Sequence, residues 1–179
     1  MTVQIVAFLR GINVGGRTVK KETLKAAFED LGFKKVTTYK QSGNIVFESD
    51  SLNVCEVNRK IEEKLCSVLG YKVAVFIRTI SQLNCILELE PFKGQTQTNS
   101  SFLVTLLESA SSKFPLQLPL TIPKSTAQVI STNGTEVFSV THGGGEGALP
   151  NQFIESKLKQ KATTRNLNVI REIVEKTKT

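Results

Sequence analysis

The run Val3 to Leu9 constrains the fold most, because it is apolar on both parities of a strand. Its odd-numbered residues are all apolar, and so are Val6 and Phe8 between them. Successive side chains of a strand point to opposite faces, so such a run is typical of a central strand that is covered on both sides. A second run of this kind, Tyr71 to Ile77, follows later in the chain. We therefore expect a sheet with layers on both faces.

Between these two runs, the hydrophobic period switches between that of a helix and that of a strand. The pattern predicts a helix through Leu24, Phe28 and Leu31, a pair of strands around Lys34 to Lys40 and Ile45 to Phe47, and a helix from Val54 to Val68. The order β-α-β-β-α-β is that of the ferredoxin-like arrangement. In its usual strand order the first and third strands are neighbours, so segments 10–17 and 41–44 should meet at one end of the sheet.

The sequence of the second half predicts an order of helices and strands that partly repeats that of the first half. The polar stretch from Pro91 to Ser100 is the expected boundary between two subdomains, 1–90 and 91–179. A strand, a proline-containing crossover, a hairpin at Asn133-Gly134 and two helices follow, the last of them from Arg165 with Thr163 or Thr164 as its N-cap. The expected fold class is α+β, with a ferredoxin-like N-terminal half and a second, partly similar α+β half.

The composition limits the classes of partner that the protein is expected to bind, but it does not identify one partner. The 179 residues include 23 Lys+Arg and 16 Asp+Glu, and the net charge of +7 favours anionic partners in general. One histidine, His142, and three cysteines without metal-type spacing argue against a metal site, and no motif implies a cofactor. No segment approaches membrane-spanning length and none resembles a secretory signal, so we expect a cytoplasmic protein without a membrane partner.

The glycine-rich segment Arg10 to Arg17 is the first candidate site. Its backbone N–H groups could form an anion-binding nest before a helix, with arginine at each end. Lys20 and Lys21 fall in the first turn of that helix, where the dipole disfavours cations, which indicates either a small surface cost or a nearby anion. The alternative is a structural turn in which Asn13 bonds its own backbone.

Two further segments are candidates of the same kind. Gln41, Ser42 and Asn44 stand in the predicted hairpin, where plain turn chemistry is the alternative. Arg165 and Asn166 stand at the predicted start of the last helix, where capping is the alternative. The candidate ligand-binding residues are Arg10, Asn13, Gly15, Gly16, Gln41, Ser42, Asn44, Arg165 and Asn166.

Three blocks together resemble one family: Leu9 to Gly16, Thr38 to Asn44, and Ala162 to Asn166. They are similar to the signatures of domain-of-unknown-function family 1697, and the resemblance runs nearly end to end. It implies an α+β fold with ferredoxin-like character and no established activity. Leu167 to Val169 replace the family's usual Trp-Asn-Thr. Glu146 to Leu149 stand where the family tends to have Arg-Ser-Lys-Leu, so two cations of its presumed polar site are missing.

The leading hypothesis is a cytosolic protein that binds an anionic or phosphate-bearing small ligand at these three segments. One alternative is nucleic-acid binding through the basic C-terminal run of Lys157, Lys159, Lys161 and Arg165, which also fits a solvated helix face. RNA binding on the sheet is disfavoured, because Phe8 and Phe47 are expected in the core. A further alternative is an enzyme of unnamed reaction, for which a Ser42–His142 pair offers little support. Ligand identity and oligomeric state are left open.

Overall fold

The chain forms two compact units, Met1–Leu83 and Asn84–Thr179, in a computed structural model. The structure describes residues 2–13, 16, 18–40, 43–51, 53–96, 98–111, 114–143 and 150–178. The division falls within a helix, somewhat earlier than the boundary that composition predicts. The fold class is α+β, as expected from the sequence.

The first unit is a four-stranded antiparallel sheet with helices. Its elements are β1 (Val3–Arg10), α1 (Lys21–Glu29), β2 (Lys34–Tyr39), β3 (Asn44–Ser49), α2 (Val54–Leu69), β4 (Ala74–Thr79) and the start of α3 (Ile80–Glu88). The strand order is β2-β3-β1-β4, and every neighbouring pair is antiparallel. The first strand therefore lies beside the third, as expected from the order of elements.

Burial explains why β1 is central. Both Ile5 and Val6 are buried, so the strand is covered on both parities, as predicted. Ile5, Ala7 and Leu9 belong to an apolar core that also includes Phe28 of α1 and Ile61 of α2. This core fixes the two helices on one face of the sheet.

The helix α2 has a cap at each end, whereas α1 has no side-chain cap at its start. Asn53 caps α2 by accepting a hydrogen bond from the Glu56 N–H at 3.2 Å, and Gly70 ends the helix with φ of 76°. The N-cap position of α1 is Lys20, whose side chain makes no capping hydrogen bond. The first backbone N–H groups of α1 therefore lack a side-chain cap.

The second unit contains a five-stranded antiparallel sheet. Its elements after α3 are β5 (Ser100–Leu107), β6 (Leu120–Thr121), β7 (Ala127–Thr132), β8 (Glu136–His142), α4 (Asn151–Leu158), β9 (Ala162–Asn166) and α5 (Leu167–Thr177). The strand order is β6-β7-β8-β5-β9. The predicted hairpin is present, and Asn133 Oδ1 accepts from the backbone N–H of Glu136 at 2.7 Å in its turn.

The predicted start of the last helix is wrong. Thr163, Thr164 and Arg165 lie in β9, where Thr164 is paired with Thr105 and Arg165 with Val104 of β5. The N-cap is Asn166, whose side chain accepts from the Asn168 N–H at 2.9 Å. The long-range pairing with β5 takes these residues into the sheet, and it overrides the local capping signal of the threonines.

Candidate functional site

The glycine-rich segment and the β2–β3 hairpin meet at one end of the first sheet, which we call the loop end. The Leu9 N–H donates to the Gly43 carbonyl at 2.8 Å, and Phe8 stands opposite Asn44 in the β1–β3 register. We define the loop end as residues 10–13, 16, 18–22, 40, 43, 44 and 70–74, since β4 also begins here, with Ala74 opposite Arg10. The sequence argument for this convergence is confirmed for the described residues.

Within the glycine-rich segment, the described residues combine structural roles with open space. Asn13 Oδ1 accepts from the Val19 N–H at 2.9 Å, which closes the loop and favours the structural interpretation of this residue. Gly16 has φ of +78°, and a Cβ built on it would meet nothing within 4 Å. Glycine is required there for its backbone conformation, and the space beside it is open.

Arg10 and Asn44 lie on one face of the sheet. Arg10 is the half-buried last residue of β1, two residues beyond Phe8, and Phe8 is paired with Asn44. Asn44 is 5% exposed, and its Nδ2 donates to the Tyr39 carbonyl at 3.2 Å across the hairpin. Gly15, Gln41 and Ser42, the remaining candidates of the first unit, lie outside the described residues.

Sequence reasoning did not identify the contact that connects the glycine-rich segment to the start of β4. The Tyr71 hydroxyl donates to the Ile12 carbonyl at 3.1 Å. These residues are far apart in sequence, and only the pairing of β1 with β4 brings their strand ends together. No local motif announces such a contact.

Charge differs between the two ends of the first sheet. The basic residues in the described part of the loop end are Arg10, Lys20, Lys21, Lys40 and Lys72, and the acidic residue is Glu22. Among the described residues, Lys20, Lys21 and Lys72 have no ion-pair partner. At the opposite end Lys34 pairs with Asp50 at 2.9 Å and Lys35 with Glu48 at 2.8 Å. The loop end therefore carries a local excess of positive charge.

The side chain of Glu62 places a carboxylate next to the loop end. Glu62 of α2 accepts a hydrogen bond from the Val75 N–H at 3.1 Å through Oε1. This contact commits one of its oxygens to the backbone of β4. The cations of the loop end therefore lie near a carboxylate that already accepts a hydrogen bond from the backbone.

The two candidates of the second unit have clear structural roles. Arg165 Nη1 donates to Thr163 Oγ1 and to the Thr164 carbonyl, both at 2.9 Å. Burial lowers the pKa of Arg165 to about 10, so the guanidinium stays charged at neutral pH. Asn166 caps α5. Their union in one site with the residues of the first unit stays a prediction.

The basic C-terminal run does not form one helix face, so that interpretation is wrong. Lys157 belongs to α4, Lys159 follows it in the left-handed region with φ of 56°, and Lys161 lies 3.9 Å from Glu108. Arg165 is half-buried in β9. The cations are distributed over a helix, a turn and a strand because β9 interrupts the predicted helical stretch.

His142 has a partner that the sequence did not reveal. It is the last residue of β8, and its Nδ1 lies 3.0 Å from Ser100 Oγ across the β5–β8 pair. Ser42, the serine considered for a pair with His142, lies outside the described residues. Among the described residues the His142 ring has no carboxylate partner, so the pair lacks the third group of a catalytic triad.

The described part of the chain has neither a cluster of metal-ligating side chains nor a helix that could span a membrane. It contains no group of three or more His, Cys, Asp or Glu side chains that could hold a metal ion. None of its helices is long and apolar enough to cross a membrane.

The family comparison identifies the chain. It belongs to the family described as "Protein of unknown function (DUF1697)", whose model matches residues 1–138. The match includes the first two signature blocks but ends before the third, Ala162 to Asn166, so it is shorter than the nearly end-to-end resemblance expected from the sequence. A comparison with curated proteins finds no match.

A solved structure supports the fold of the whole chain. The chain is similar to a conserved bacterial protein from Streptococcus pneumoniae, with a TM-score of 0.70 and 18% sequence identity. The similarity covers 100% of both chains. At this identity the likeness shows the fold alone.

Proposed function

We propose that this DUF1697 member binds an anionic or phosphate-bearing small molecule at the loop end of its first unit. The observation that carries the proposal is the local excess of positive charge where the glycine-rich segment and the hairpin converge. Lys20, Lys21 and Lys72 are exposed there. An anion at this position would offset the repulsion among these cations.

The N-terminus of α1 strengthens the attraction. A helix N-terminus carries a partial positive charge and backbone N–H groups without intrahelical partners. In α1 no side chain caps these groups, and the two residues at its start are lysines, which the dipole disfavours. An anion accepting from the N–H groups and pairing with Lys20 or Lys21 would satisfy both features.

The other proposed contacts come from around this point. Arg10 would supply a guanidinium beside Asn44, and the backbone near Asn13 and Gly16 would line the approach, since the space beside Gly16 is open. Gly15, Gln41 and Ser42 are proposed from their sequence positions. Arg165 and Asn166 remain predictions from the sequence, and the hydrogen bonds described above for them are structural.

A nucleic acid is the less favoured anion. Phe8 and Phe47 are buried, which confirms their predicted place in the core and removes them as stacking platforms. The C-terminal cations are dispersed, as described above. A compact ligand therefore fits the arrangement better than an extended strand.

Calorimetric titration with inorganic pyrophosphate, at low and moderate salt, tests the proposal. The double variant Lys20→Gln/Lys21→Gln should weaken binding about tenfold, since two charge contacts near a helix N-terminus together contribute about 1–2 kcal/mol. The matched control, Lys34→Gln/Lys35→Gln, removes the same charge at the opposite end of the sheet and should change the affinity less than about twofold.

Equal losses in the two double variants would show a nonspecific charge effect and refute the site. A parallel titration with a short oligonucleotide separates the alternative. If the oligonucleotide binds with a steep salt dependence and pyrophosphate does not bind, nucleic-acid binding replaces the proposal.

A further inference from the structure

The second unit contains a cleft of its own. Its cavity volume is about 490 Å³, and residues of α3, the segment that follows it, β5 and α5 line it. Sites for small molecules commonly have volumes of roughly 300–1,000 Å³. The cleft is therefore large enough for a small organic ligand.

Aromatic and aliphatic side chains form the floor of the cleft. The rings of Phe92 and Phe102 are stacked, with centroids 4.6 Å apart and an interplanar angle of 16°. Phe138 contacts Phe92 edge-on at 6.0 Å and holds it in place. Phe92 is buried, whereas Phe102 is half-buried, and Leu167 extends the floor at the start of α5. Because the two rings stack on each other, Phe92 supports Phe102, and the half-buried Phe102 is the ring that a ligand can contact.

The rim carries cations. Lys93 and Arg171 both line the cleft and are both exposed. Glu90 is the acidic residue of the lining, and it pairs with Lys93 at 3.1 Å in a solvent-exposed contact of the kind that contributes little. Arg171 Nη1 donates to Asn168 Oδ1 at 3.1 Å, which uses one of the five N–H groups of the guanidinium. The rim thus has one more cation than anions.

The start of α5 faces the same cleft. Asn166, Leu167 and Asn168, its N-cap and first residues, are all part of the lining. The positive end of an eleven-residue helix therefore lies beside the guanidinium of Arg171. Both favour negative charge at this rim, next to the aromatic floor.

We infer that this cleft binds a planar aromatic molecule that carries one carboxylate or phosphate group. The ring lies against Phe102, and the anionic group lies between Arg171 and the start of α5. Each half of the ligand meets a different part of the cleft. A molecule with both halves therefore binds more tightly than either half alone.

Titrations of the isotopically labelled full chain, followed by amide NMR, test this inference. The probes with both halves are adenosine 5′-monophosphate and indole-3-acetate, and the separate halves are adenosine, indole and inorganic phosphate. We expect at least one of the two complete probes to shift the amides of Ser101 and Asn168, and to bind at least about tenfold more tightly than its halves. A stronger response to the nucleotide identifies a phosphate ligand, and one to indole-3-acetate identifies an aromatic acid.

Two variants and a control assign the roles. Arg171→Gln should weaken the anionic probe at least fivefold and leave its neutral half unchanged, because only the charged part of the probe meets the guanidinium. Phe102→Leu should weaken the probe and the neutral half alike. Arg59→Gln removes an exposed helical arginine of the first unit and should change neither.

The inference is overturned if no complete probe shifts Ser101 and Asn168, or if Arg171→Gln and Arg59→Gln have equal effects. Its failure is distinguishable from failure of the loop-end proposal, because the two sites report on different amides. Shifts confined to Gly16 and Lys20 would support the loop end and reject the cleft.

Discussion

The two units arrange their strands alike but cover them differently. The order β2-β3-β1-β4 of the first unit corresponds to β7-β8-β5-β9 of the second, with β6 added at the edge. In each unit a hairpin is followed by a helix and then by the strand that pairs with the opposite side of the first strand. The units differ in the crossover, which is α1 in the first and, in the second, a mostly irregular connection between β5 and β7 that includes the short strand β6. The strand order therefore does not depend on a helical crossover.

The irregular crossover uses apolar residues at a helix-like spacing without forming a helix. Phe114, Leu118 and Ile122 each stand directly before a proline. Proline removes a backbone donor and disfavours the helical conformation of the preceding residue. Ile122 nevertheless belongs to the core of the second unit, and Phe114 and Leu118 pack against it. Apolar anchors four residues apart can thus cover a sheet in an irregular segment.

The interiors differ as well. The core cluster of the first unit is apolar, and the buried polar residues Asn44, Ser49 and Arg78 are not part of it. The second sheet buries Thr105, Thr164 and Ser139. Thr164 Oγ1 lies 2.7 Å from Thr105 Oγ1 and also donates to Asn151 Oδ1, so it links β5, β9 and α4. In the second unit a polar connection therefore joins two strands and a helix.

The largest effect is expected from the helical crossover. Phe28 is fully buried in α1 and contacts the Phe47 ring at 5.3 Å between centroids. Phe28→Ala should lower the free energy of unfolding by about 3–5 kcal/mol because it leaves a cavity. Urea unfolding followed by circular dichroism measures the loss. A loss below about 1 kcal/mol would show that α1 does not hold the first core.

The irregular crossover should contribute somewhat less. Ile122 is 7% exposed, and Ile122→Ala should cost about 2–3 kcal/mol in the same measurement. Leu116→Ala is the control within the same segment, because Leu116 is 38% exposed and should change stability by about 0.5 kcal/mol or less. Equal effects of the two variants would contradict the view that this segment replaces α1.

The smallest changes in stability are expected from buried hydroxyl groups, and they should differ between a hydroxyl that is hydrogen-bonded and one that is not. Thr164→Val leaves Thr105 and Asn151 without their partner and should cost about 1–3 kcal/mol. Ser139 Oγ is buried and has no hydrogen-bond partner among the described residues. Ser139→Ala should therefore leave stability unchanged or raise it by up to about 1 kcal/mol. A clear loss for Ser139→Ala would reveal a partner for this hydroxyl and weaken the contrast.

Sequence reasoning worked where local chemistry determines structure. The strand that begins at Val3, the helix that begins at Val54 and the Asn133-Gly134 hairpin were all predicted from local patterns. It failed at β9, because Thr164 belongs to a strand through its pairing with Thr105, which is distant in sequence. Local patterns do not encode such pairing.

The candidate site divides in the same way. The meeting of Leu9 with Gly43 followed from the order of elements, and Lys20 and Lys21 stood out in sequence as unfavourable at a helix start. Two features did not follow from the sequence: the capping role of Asn166 and the stacking of Phe92 on Phe102. Each depends on where β9 and β5 place the chain. Contacts between distant segments require the three-dimensional structure.

The most direct test of the central claim is an amide NMR titration of the full chain with inorganic pyrophosphate. The account predicts saturable shifts at Gly16, at residues 19–22 and at Gly43, where the loop end converges, and unchanged signals at Lys34 and Lys35. Shifts spread evenly over the exposed lysines of both ends, or no shifts at all, would contradict it.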